Sequence, residues 1–160
     1  MGLCDAFKKK GIEICAPLKG KCVSIKEVND PTFSEEILGK GVAIIPEDGK
    51  VYAPADGTVT TMFPTGHAVA LTTDDGLELL VHVGLDTVTL KGEGFNIIAK
   101  EGQKVKKGDP LLEADIEKIK AAGFDTITPI VICNSDDCSE INGSVDQDIN
   151  VGDMIIEVKK

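Results

Sequence analysis

His67 and His82 are the only two histidines in the 160-residue sequence. An imidazole changes charge near neutral pH, so two held together can ligate a metal, exchange protons or attack phosphorus. Between them stands Thr73-Asp74-Asp75-Gly76, a turn signal flanked by apolar runs, which predicts a β-hairpin. A loop at Asp74-Asp75 sets His67 opposite His82, and a loop at Asp75-Gly76 sets it opposite Gly84 with His82 as diagonal neighbour. Either two-residue loop puts both rings on one face within side-chain reach. A three-residue loop would put them on opposite faces. With two-residue loops the histidine face carries His67, Val69 and Leu71 on one strand, and Leu80, His82 and Gly84 on the other. Gly84 then leaves open backbone beside the rings. Asp86, of the same parity, is a candidate to orient a ring or bind a metal.

The elements that must position this pair are mostly strands. Ile, Val and Thr alternate with polar residues, and Gly, Pro or Asp interrupts every few positions. Two short patterns repeat. Ala16-Pro17-x-x-Gly20 matches Ala53-Pro54-x-x-Gly57, and Gly108-Asp109 followed by an apolar run matches Gly152-Asp153. Each reads as a tight turn followed by a half-buried strand. The expected fold is all-β: an antiparallel β-sandwich or barrel with duplicated hairpin units and one or two short helical turns. Asp115 to Ala122 predicts two helical turns, capped by Asp115 and stopped by Gly123. Phe33 to Leu38 predicts one turn, capped by Ser34 or Thr32. Residues 134–144 read as an acidic surface loop.

Composition narrows the function. The net charge of -10 argues against nucleic acid as a partner, because phosphate neutralisation needs a basic face. No apolar run approaches a membrane span. Five cysteines without a CxxC pair read as reduced thiols of a cytoplasmic protein. Residues 1–10 read as a short tail before a single domain over 11–160. Leu3, Phe7 and three lysines in that tail would support at most a peripheral membrane contact. There is no Walker-type phosphate loop, no Gly-x-Ser-x-Gly elbow and no Cys-His pairing.

One stretch is specific. Leu80-Val81-His82-Val83-Gly84-Leu85-Asp86-Thr87-Val88, followed by Leu90-Lys91-Gly92-Glu93-Gly94-Phe95, resembles the active-site signature of glucose-type enzyme IIA of the bacterial phosphoenolpyruvate-dependent sugar phosphotransferase system. The resemblance also takes in Ala16-Pro17, Ala53-Pro54-x-x-Gly57, Phe63, Thr65, His67-Ala68 and Gly108-Asp109. It implies a phosphocarrier. The residue matching His82 accepts a phosphoryl group on Nε2 from the histidine-containing phosphocarrier protein and passes it to the IIB domain of a sugar permease. His67 would stabilise the phosphoryl group, Thr65 would orient the pair, and Asp86 would lie beside the site. Phe33, Ile37, Phe63, Val69, Leu80 and Val88 would form a docking surface, whereas Leu38 reads as core. Thr32, Gly66 and Val69 depart from the usual family residues at their positions.

The same resemblance implies no required cofactor. It allows a regulatory binding role and a zinc ion shared between His67, His82 and a partner. The rival reading is a zinc hydrolase using His67, His82 and Asp86. That class expects a His-x-His pair, but Val83-Gly84 follows His82 and no third histidine can serve as base. A biotinyl- or lipoyl-carrier reading of Lys106-Lys107 is weaker still, since these lysines precede a turn glycine.

Overall fold

A computed structural model describes residues 11–160. The membrane-touching turn expected in residues 1–10 lies outside them. The first half of the chain holds β1 Ile12–Cys15, β2 Gly20–Ser24, β3 Lys40–Pro46, β4 Lys50–Tyr52, β5 Gly57–Met62, β6 Ala68–Thr73 and β7 Glu78–His82. The second holds β8 Phe95–Ile97, β9 Lys104–Val105, β10 Pro110–Ala114, β11 Thr128–Ile132, β12 Glu140–Gly143, β13 Gln147–Ile149 and β14 Met154–Lys159. Two short helices, α1 Pro31–Ser34 and α2 Ile116–Ala121, complete the fold.

The strands form one large and two small antiparallel sheets. The large sheet runs β13-β2-β3-β11-β7-β6-β5-β9. The small ones run β1-β14-β12 and β4-β10-β8. The all-β architecture expected from the alternation is therefore present. Alternate residues of the large sheet bury on opposite sides. Val42, Ile44, Ile130 and Ile132 join the main core with Leu18, Leu111 and Ile156. Ala43 and Val131 point the other way, into a second cluster with Val23, Ile25, Val28, Phe33, Leu85 and Ile127. That second cluster seats α1 beside the histidines. Strand β11, Thr-Pro-Ile-Val-Ile, is buried at every position because it is covered on both faces.

The repeated motifs are two halves of one interlock. Cys15 N–H donates to the Pro54 carbonyl at 2.9 Å, and Tyr52 N–H donates to the Pro17 carbonyl at 2.7 Å. Each Gly-Asp turn then binds the corresponding Ala-Pro corner: Ala16 N–H donates to Asp153 O at 2.7 Å and Ala53 N–H to Asp109 O at 2.8 Å. The turns themselves are built alike, with Lys106 N–H donating to Asp109 Oδ2 and Asn150 N–H to Asp153 Oδ2. Duplication thus sets the backbone framework that holds the sheets together.

The helical expectations met different outcomes. Asp115 caps α2 by accepting from Lys118 N–H at 3.1 Å, and Gly123 follows at a φ of +90°. The turn expected at 33–38 instead spans Pro31–Ser34. Its cap is neither Ser34 nor Thr32 but Asp30, which accepts from Thr32 N–H at 3.0 Å. Pro31 at the first helical position explains the shift, since its fixed φ starts a helix and its missing N–H costs nothing there. The acidic stretch 134–144 is not only loop. It contains a 3-10 turn at Ser135–Asp137, and β12 pairs with β14.

Candidate functional site

The hairpin between the histidines uses the register that should have separated them. Ala68 pairs with His82, Val69 with Val81 and Leu71 with Leu79. The loop is therefore Asp74-Asp75-Gly76, three residues long. Gly76 takes φ +89°, and Thr73 Oγ1 accepts from Leu77 N–H at 3.0 Å. A left-handed glycine closing a three-residue loop is a common hairpin solution, and it displaces the two-residue loops. In consequence Val69 and Leu71 face the core, while Leu80 and His82 face outward.

The rings meet all the same, with centroids 5.0 Å apart and planes at 82°. His67 escapes the alternation because it precedes the first regular residue of β6. The chain arrives through a turn in which Gly66 N–H donates to Phe63 O at 2.7 Å and Gly66 takes φ +73°. Only the His67 backbone stays in the ladder, its carbonyl accepting from Val83 N–H at 2.7 Å. Its side chain is bound separately: Thr65 Oγ1 is hydrogen-bonded to His67 Nδ1.

His82 Nδ1 is 2.7 Å from the Gly84 carbonyl oxygen. A carbonyl only accepts, so Nδ1 carries the proton and, in the neutral ring, Nε2 keeps the lone pair. Both rings are held neutral at pH 7. Burial, with His82 nearby, pushes the His67 pKa down to about 4. Burial also lowers that of His82, against the opposing pull of the Gly84 carbonyl and of Asp30 and Asp86. The site is thus a nucleophilic nitrogen beside a second neutral imidazole.

The surrounding residues divide. The Phe33 ring lies 5.1 Å from His82 and the Phe63 ring 5.4 Å from His67. Phe33 is itself buried, so it supports the ring more than it offers surface. Ile37 and Val88 are open, at 68% and 49% exposure, and Leu80 is half-buried. Val69, expected on the docking surface, is 1% exposed within the main core. Leu38, expected in the core, is 39% exposed, because the helix that would have buried it ends at Ser34. Asp86 is exposed, takes φ +60° before a 3-10 turn and makes no side-chain hydrogen bond to either ring. The Gly84 carbonyl orients His82 instead.

Asp30 and the Gly84 carbonyl were missed from the sequence. The Asp30-Pro31 pair carried a legible cap signal, whereas nothing in a glycine announces where its carbonyl points. Among the described residues no three His, Cys, Asp or Glu side chains group to hold a metal. His67, His82 and Asp86 do not form such a set. Four surface clefts of 360–480 Å³ lie elsewhere and none is lined by a histidine.

An antiparallel β fold that holds a neutral imidazole with its Nε2 lone pair free has the chemistry to carry a transferable group. Comparison with known proteins makes this specific. The family described as phosphoenolpyruvate-dependent sugar phosphotransferase system, EIIA 1, matches residues 12–138, and the chain belongs to that family. A glucose-specific EIIA component of Staphylococcus epidermidis is 46% identical, with 83% of this chain and 80% of the relative covered. A beta-glucoside-specific EIIBCA component of Bacillus subtilis is 51% identical over 79% of this chain. The chain spans only 21% of that longer relative's length. The solved glucose permease IIA of Mycoplasma capricolum superposes with a TM-score of 0.87 at 33% identity, covering 94% of this chain and 97% of that one. What the family model, these relatives and this superposition share is an EIIA unit of a sugar phosphotransferase system.

Proposed function

We propose that His82 is the phosphoryl acceptor and that it acts through Nε2. The observation that carries this reading is the 2.7 Å contact between His82 Nδ1 and the Gly84 carbonyl, which leaves Nε2 unprotonated. In the first transfer, Nε2 attacks phosphorus on the phosphohistidine of a small histidine-containing phosphocarrier protein. The donor's N–P bond breaks and its imidazole keeps the electron pair. In the second, a cysteine thiolate of a permease IIB domain attacks the same phosphorus and His82 leaves as a neutral ring. The fusion of EIIA with EIIB in the Bacillus subtilis relative's name supports this acceptor.

His67 supplies the charge stabilisation. Its ring is neutral, and the Thr65 hydroxyl can donate to Nδ1, which puts the ring proton on Nε2. That N–H is then a donor for phosphoryl oxygens. Two proteins held in line need little more than positioning and such donors. Asp86 and Asp30 add negative charge at the rim, where they favour a basic partner surface. Ile37, Leu80, Val88 and Phe63 supply the apolar contact.

Glucose is the proposed sugar, supported by the Staphylococcus epidermidis relative that this chain nearly spans. Transfer requires no resident metal in this reading. A zinc ion would act only as a shared bridge from the two imidazoles to a partner. The described residues contain no helix long and apolar enough to cross a membrane, and the four described cysteines are free. Both accord with a cytoplasmic site of action.

Incubation with phosphoenolpyruvate, enzyme I and the small phosphocarrier tests the proposal. The expected product is one acid-labile, base-stable phosphate per chain, absent in His82→Ala. Normal stoichiometry in His82→Ala would refute it.

A further inference from the structure

The Gly84 carbonyl can select the His82 tautomer only if it is itself held. Gly84 takes φ +75°, a conformation that other residues adopt at a cost. Its two neighbouring peptide units are clamped. On one side the Val83–Gly84 unit is held by its Val83 carbonyl, which accepts from Thr87 Oγ1 at 2.6 Å, and the unit before it by Val83 N–H, which donates to the His67 carbonyl at 2.7 Å. On the other side Leu85 N–H donates to the Asp125 carbonyl at 2.9 Å. Asp125 is braced in turn, its Oδ1 accepting from Ile127 N–H at 2.9 Å. A Cβ on residue 84 would lie 2.7 Å from the Thr87 methyl and 2.8 Å from the Asp125 carbonyl oxygen.

Thr87 is the one side chain in this clamp that is fully buried and polar. Its hydroxyl reaches back four residues to a carbonyl and makes no hydrogen bond to either imidazole. A 3-10 turn at Thr87–Leu90 could form without it, since valine and alanine also enter such turns. The hydroxyl therefore matters for where the Val83–Gly84 peptide points.

We propose that Thr87 is a positioning residue for phosphoryl transfer. Through the Val83 carbonyl it fixes the Gly84 carbonyl, and through that carbonyl it keeps the proton of His82 on Nδ1 and the lone pair on Nε2. This deepens the reading of His82 as acceptor and rests on it for its kinetic consequence, though not for its tautomeric one.

The test compares Thr87→Val, Thr87→Ala and Thr87→Ser with the parent protein. Nitrogen-15 NMR of the His82 ring reads the tautomer directly. Initial rates of phosphorylation by phosphoenolpyruvate, enzyme I and the small phosphocarrier read the consequence. Thr87→Ser keeps the hydroxyl and should retain the parent pattern, with a rate within about twofold. Thr87→Val and Thr87→Ala should show a mixed tautomer signature and a rate about tenfold lower, the loss of one buried hydrogen bond. If valine prevents folding, the alanine and serine pair decides. A hydroxyl-free variant that folds, keeps the parent tautomer and accepts phosphate at the parent rate overturns the role of Thr87. If the parent protein itself accepts no phosphate, the acceptor reading fails, and the NMR comparison still decides whether Thr87 sets the tautomer.

Discussion

The carbonyl of Gly84 faces Nδ1 of His82 at 2.7 Å, two residues along the same chain. This contact is made possible by the left-handed backbone at Gly84 and by the closeness of Thr87 and Asp125 around it. Gly84→Ala should therefore lose at least about 2 kcal/mol of stability, from backbone strain and the two clashes together. It should also lose most phosphoryl acceptance at temperatures where it is still folded. Chemical denaturation and the phosphorylation assay check both; parent stability in this variant would contradict the strain.

Acid should unfold the site through His67. Its folded pKa, about 4, lies below the value near 6.5 of an unconstrained histidine. The unfolded chain takes up this proton first as the pH falls. The contribution to stability is thus complete above pH 6.5, declines through the interval and is gone below about pH 4, amounting to about 3 kcal/mol. Equilibrium unfolding across that range should steepen with acid, and His67→Gln should flatten the slope.

The same substitution separates two steps of catalysis. His67→Gln leaves the His82 tautomer contact intact, so phosphate should still be accepted. Onward transfer to a IIB cysteine should slow by about tenfold or more for loss of a donor to the moving group. Full sugar phosphorylation with this variant would remove the role given to His67.

Val69 and Ile37 should behave oppositely. Val69 is core, so Val69→Ala should cost about 2 kcal/mol through lost burial and a cavity. Ile37 is exposed, so Ile37→Ala should leave stability within about 0.5 kcal/mol. Partner-dependent transfer should respond the other way, weakened in the Ile37 variant and unchanged in folded Val69→Ala. Thermal melts and steady-state transfer at varied phosphocarrier concentration distinguish them.

The strand alternation, the repeats and the His82 signature were legible because they are local patterns with strict periods. The hairpin was legible only in part. Both histidines were expected side by side on the strength of a two-residue loop, but Gly76 closes a three-residue loop and reverses the parity. The rings meet for a different reason: the Phe63–Gly66 turn lies outside the ladder and frees His67 from it. Turn chemistry set the register, and a turn of four residues corrected it. Asp30 was missed for a similar reason. Thr32 and Ser34 are the capping residue types nearest to 33–38, but Pro31 marks the true start and so makes Asp30 the cap. Which carbonyl meets which ring depends on several long-range bonds at once, and no single stretch encodes that.

The pairing of Ile12 with Val158 has a temporal meaning. Strand β14 is the centre of its small sheet, flanked by β1 and β12, and it is the last of the three in chain order. Both neighbours must wait for it. While a ribosome is still adding residues, the strands of β2 through β11 can already assemble around the histidine pair, but β1 has no strand to join. Contacts of such long sequence separation form slowly. That small sheet is closed by β14, so a nascent chain from which β14 has yet to emerge would hold a nearly finished site on an unfinished wall.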